Sequence, residues 1–85
     1  MDDHILVSAF RAHSAGQKMF TRRMVITIAD MLNATPKAVV VRLEQLDLIK
    51  GGSWDWFLAN GGITKAHIDE VRAAVALSAL EERGS

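Results

Sequence analysis

The run Val25-Ile26-Thr27-Ile28-Ala29-Asp30-Met31-Leu32-Asn33-Ala34-Thr35-Pro36-Lys37-Ala38-Val39-Val40-Val41-Arg42-Leu43-Glu44-Gln45-Leu46-Asp47-Leu48 decides the fold. Ile28, Ala29 and Leu32 recur at the spacing of one helix face, and Val39, Leu43 and Leu46 do so after a break. Two helices therefore share one buried seam, with Val40 at its flank. Thr35 is placed to cap the second helix, and Pro36 follows at the first helical position, where its missing N–H costs nothing. Asn33 ends the first helix, because asparagine tolerates the left-handed conformation that helix ends favour. A turn this short, containing one such residue, lets two helices cross steeply.

The stretch resembles the helix-turn-helix of DNA-binding proteins, especially the winged-helix version of small bacterial or phage regulators. The resemblance rests on Ile28-Ala29, Leu32-Asn33 at the turn, then Thr35, Val39, Leu43, Leu46 and the Leu48-Ile49 exit. Asn33 stands where glycine is commoner. Ala29 supplies the small side chain needed where the helix backbones approach most closely. The resemblance implies double-stranded DNA as the partner. Arg22 and Arg23, at the front of the first helix, and Thr35 and Lys37, at the start of the second, are then expected at phosphates. Sequence readout is expected from Val41 on a thymine methyl, Arg42 on guanine and Gln45 on adenine. Glu44 fits poorly beside phosphates.

Working outward, Asp2 or Asp3 caps a first helix reaching about Ala15, with Gly16 as its stop and Ile5, Leu6, Ala9, Phe10 and His13 as its apolar-leaning face. Thr21 caps the helix Arg22 to Leu32, with Phe20 and Val25 spaced as a hydrophobic staple. The competing reading makes Met24 to Thr27 a short strand, because Val-Ile-Thr-Ile is β-branched; the helix is preferred. After Leu48-Ile49, two readings compete for Lys50 to Asn60. Gly51-Gly52 can turn a stub of a β-hairpin wing, or Ser53 can cap a short helix, Trp54 to Ala59. The helix accounts for more residues. Thr64 opens a last helix from Lys65 to about Glu82, some 27 Å long. Its Ile68, Val71 and Val75 form one face, and Ala73, Ala76, Leu77 and Leu80 widen it beyond what a small core requires. Glu81 to Ser85 should fray.

The expected architecture is thus all-α: one domain over residues 1–85, a small helix-turn-helix fold of four to five helices with at most a vestigial wing and a long C-terminal helix. Its segments are a first helix over 1–16, the motif over 21–46, the short helix or wing over 53–60 and the closing helix over 64–82.

Composition bounds the rest. Of 85 residues, 49% are hydrophobic and 24% charged, which is globular rather than disordered. The chain has no cysteine, which removes disulfides, thiolate metal sites and cysteine nucleophiles and makes a cytoplasmic setting the expectation. The acidic Met1-Asp2-Asp3 start does not read as an export signal, and no apolar run is long enough for a membrane helix. No catalytic constellation, metal-ligand spacing or cofactor motif is present, so an enzyme is not expected. Net charge is zero, unusual for a nucleic-acid binder, yet residues 1–43 carry a net +3 and the remainder a net −3.

Neutrality, the outward Val41 and Glu44 motivate a rival expectation. In it the same fold is a protein-interaction module, such as a phage or mobile-element inhibitor or adaptor that captures a host protein. Val41, Trp54, Trp56, Leu77 and Leu80 would form its surface. The long last helix also suggests a homodimer.

Overall fold

The protein is described by a computed structural model covering residues 1–17 and 19–83. Among these described residues five helices follow one another: α1 (Asp3–Ser14), α2 (Arg22–Leu32), α3 (Pro36–Gln45), α4 (Ser53–Ala59) and α5 (Lys65–Arg83). No strand forms among the described residues, so the wing reading fails and Gly51-Gly52 leads into a helix instead.

The starts of α1, α2, α3 and α5 are set by local chemistry. The Asp2 carboxylate accepts from the N–H groups of His4 and Ile5, and Thr21, Thr35 and Thr64 accept from the N–H groups of Met24, Ala38 and His67. The start of α4 departs from expectation. Ser53 does not cap it; its hydroxyl donates to the Lys50 carbonyl. Glu44 takes that role from α3, accepting from the N–H groups of Gly52 and Trp54. A carboxylate suits this helix end because the first amides are unpaired and carry partial positive charge.

Three helices end in the same way. Asn33, Asp47 and Gly61 all take positive φ, and the next residue's N–H reaches back to the carbonyl of Ala29, Leu43 or Phe57. Asn33 sits at φ 51°, ψ 44°, in the three-residue turn between α2 and α3. The expected result of Asn33→Gly is little change in stability, whereas Asn33→Val should cost about 1–2 kcal/mol, because a β-branched residue is strained there. Urea unfolding of the two variants checks this.

The turn bends the chain by 101° between α2 and α3. Consecutive positions of α3 then face different parts of the core. Val39 and Leu43 pack with Leu6, Ala9, Ile28 and Ala29, while Val40 packs with Val25 and Phe57. This explains the valine run: Val40 is fully buried rather than flanking, and only Val41 is half-exposed. Leu46 packs at the edge of the first cluster, and Phe20 touches both. Phe20 also meets Phe10 and Phe57 edge-on, at 5.7 and 6.4 Å between ring centres.

α1 keeps Leu6 and Ala9 inward with Phe10 and His13 half-buried, but Ile5 is exposed. α5 lies against α2 through its first half and is tied there by Arg72 on the Asp30 carboxylate at 2.8 and 3.0 Å. Its second half runs on with every described side chain exposed, so the expected apolar face is seated only as far as Ala74. Gly84 and Ser85, part of the segment expected to fray, lie outside the described residues.

Candidate nucleic-acid interface

Helical periodicity divides α3 cleanly. Val39, Val40 and Leu43 point into the core, which leaves Ala38, Val41, Arg42 and Gln45 as a stripe on the opposite side, with Thr35 and Lys37 at its N-terminal end. Thr35, Lys37, Ala38 and Gln45 are exposed; Val41 and Arg42 are half-buried. Arg23, at the front of α2, is exposed as well, and neither Arg23 nor Lys37 has a side-chain partner among the described residues.

Arg22 and Arg42 are used differently from the sequence expectation. Arg22 turns back onto α4, where its Nε donates to the Gly62 carbonyl and its Nη2 to the Asn60 carbonyl, both at 2.9 Å. Its guanidinium carbon lies 5.9 Å from the centre of the Phe57 ring. The expected phosphate contact for Arg22 is therefore withdrawn: unsatisfied carbonyls beyond a helix end attract the cation. Arg42 forms a two-pronged pair with Asp3, Nε to Oδ1 at 2.8 Å and Nη2 to Oδ2, and donates through Nη1 to Gln45 at 3.0 Å. The two readout residues are thereby brought together, with a carboxylate beside them. Glu44, expected to repel phosphate, is turned away into α4.

The Asp3 carboxyl is held below its ordinary pKa, first by its hydrogen bonds to Arg42, and Asp30 likewise by Arg72. Both guanidinium groups are raised in turn. Because the folded carboxyl values lie below the unfolded ones, whatever stability these pairs contribute is present above the ordinary carboxylate range. It is lost as pH falls through the lowered values. Both pairs are exposed enough to exchange with solvent or with another ion.

The residues of the interaction-module expectation do not gather in one place. Trp54 packs onto the Val25, Val40 and Phe57 cluster. Trp56 is exposed and lines an open apolar cavity of about 480 Å³ with Phe10, Met19, Phe20 and Met24. Leu77 and Leu80 are exposed on the far half of α5. The Asp3, Glu44 and Asn60-to-Gly62 contacts escaped sequence reasoning, since each joins residues that no local pattern links.

Among the described residues no group of three His, Asp or Glu side chains is placed to hold a metal. His13 meets the Met31 sulfur at 3.1 Å instead. Nor is any single helix among those residues long and apolar enough to cross a membrane. Compared with known proteins, the chain matches no family model, no curated protein and no solved structure.

Proposed function

We propose that the chain is a sequence-specific DNA-binding transcriptional regulator that enters the major groove with α3. The observation that carries this reading is the 101° bend between α2 and α3 at a three-residue turn. On the outer side of α3, Thr35, Lys37, Ala38 and Gln45 are exposed, while Val41 and Arg42 are half-buried and Asp3 holds Arg42. Such a crossing lets one helix lie in the groove while the other abuts the backbone. Arg23 and Lys37 supply phosphate contacts, joined by the Thr35 hydroxyl, which keeps its proton free to donate while capping α3. Val41 faces a thymine methyl. Gln45 and Arg42 read base edges once Arg42 exchanges Asp3 for DNA.

A titration of duplex DNA at several salt concentrations tests the proposal. With two or three cationic contacts, log K should fall with log salt at a slope of about −2 to −3. No binding at low salt, or binding indifferent to salt, overturns it. Asp3→Asn leaves the fold intact, releases Arg42 and removes a negative charge, so affinity should rise several-fold with a steeper salt slope.

One observation favours the alternative of a protein-interaction module that captures a host protein. Arg22, Arg42 and Arg72 are all engaged within the chain, while Trp56 and Leu58 stand exposed on α4. Under that reading Trp56→Ala abolishes partner capture, and Lys37→Ala leaves it unchanged.

A further inference from the structure

The open cavity of about 480 Å³ lies among the end of α1, the chain before α2, the Leu48-to-Lys50 exit and α4. Its size falls within the range of about 300–1,000 Å³ typical of small-molecule sites. Phe10, Phe20, Met24 and Phe57, all buried or half-buried, make its floor, and none of these side chains carries an N–H or hydroxyl. Met19 and Trp56 stand exposed at its rim. The four lining rings follow one another edge-on: Phe10 to Phe20 at 5.7 Å, Phe20 to Phe57 at 6.4 Å and Phe57 to Trp56 at 5.4 Å. Among the described residues that line the cavity, Lys50 is the one charged group; it is exposed and has no ion-pair partner among the described residues.

The geometry points to a binding site for a small aromatic carboxylate, its ring system held among the four rings and its anionic group at Lys50. A planar body extends the edge-on series, and the thioethers of Met19 and Met24 adapt to a ring edge. The flexible four-carbon stem of Lys50 lets its ammonium follow a carboxylate at the mouth. Ser14 and Gln17 also line the cavity and carry donors for the second carboxylate oxygen. Other ligand classes fit badly. A sugar or nucleotide would press hydroxyls or base edges against the apolar floor without partners, and each such group costs free energy. One lysine also cannot answer several phosphate charges. A cationic ring would meet Lys50 with no lining carboxylate to offset the repulsion.

Titration of the whole chain with 2-naphthoate, followed by ¹H–¹⁵N NMR, tests the site, with 2-naphthamide as the uncharged control of the same shape. The carboxylate should move the Trp56 indole signal and the backbone signals of Ile49 and Lys50 saturably, and leave those beyond Ala74 in place. Lys50→Gln should weaken 2-naphthoate binding by about tenfold, the loss of one charged hydrogen bond, and leave 2-naphthamide binding unchanged. Trp56→Ala should weaken both by about three- to tenfold, as loss of an aromatic contact does. Both positions are exposed, and a retained, dispersed spectrum shows that each variant is folded. No saturable shift up to about 5 mM 2-naphthoate, enough to reveal even millimolar affinity, overturns the inference. Equal affinity for 2-naphthoate and 2-naphthamide overturns it too, as does Lys50→Gln without a loss. The titration contains no DNA, so each of these outcomes leaves the DNA reading where it stands.

Discussion

Replacing Leu43 with alanine should leave the protein close to unfolding at physiological temperature. The side chain is fully buried and packs among Leu6, Ala9, Ile28, Ala29 and Val39, so it joins three helices. Truncating such a leucine costs about 2–5 kcal/mol, because transfer energy is lost and neighbouring helices close the cavity only in part. A chain of this size is stable by about 4–13 kcal/mol. Taking the middle of the first range, the midpoint of thermal unfolding should fall by about 15 °C or more. Thermal unfolding followed by circular dichroism gives the value, and a drop below about 4 °C, the shift expected from a loss of 1 kcal/mol, would mean that the three helices do not depend on this side chain. The opposite change at the same seam, Ala29→Leu, should also destabilise, by about 1–3 kcal/mol, because a well-packed contact has no room for added methylenes.

The second large effect separates two neighbours that look alike in sequence. Arg22→Ala removes both hydrogen bonds to the chain beyond α4 and the stacking on Phe57. Charged hydrogen bonds of this kind are worth about 1.5–3 kcal/mol, and the two acceptor carbonyls are left without the donor. A stability loss of about 2 kcal/mol is expected, with any loss of DNA binding following from unfolding alone. Arg23→Ala should do the reverse, leaving the unfolding midpoint within about 0.5 kcal/mol of the parent, as exposed changes do, while lowering affinity and flattening the salt slope by about one. Urea unfolding and the DNA titration on the same two variants decide it; equal effects of both on stability would contradict the Arg22 contacts.

The contrast marks where sequence reasoning reaches its limit. Helix boundaries, the Thr21, Thr35 and Thr64 caps, the Asn33 turn and the α2–α3 seam were legible because each depends on residues a few positions apart. Asn33 alone, followed by Ala34-Thr35-Pro36, carries most of the bend. The contacts of Arg22, Arg42 and Glu44 were not legible, for the opposite reason. Their partners, Asn60 and Gly62, Asp3, and Gly52 and Trp54, are brought near by tertiary packing, and a charge counted along the chain says nothing of whether another group already holds it. Val40 shows the same limit within the core. A single helical face assigns it to the flank, whereas α3 serves two apolar clusters and buries both sides of that face. The positive-φ Asp47 was invisible too, since aspartate there gives no signal as strong as glycine or asparagine.

Because α3 is wedged between two apolar clusters, it has no way to loosen alone: freeing its amides requires both clusters to open. Hydrogen exchange at Leu43 should therefore follow the global unfolding equilibrium. Amides beyond Ala74 in an isolated chain should exchange through fraying, orders of magnitude sooner. The rigid part of the molecule is thus its middle, with a protected rod at the centre and a labile stem at the end.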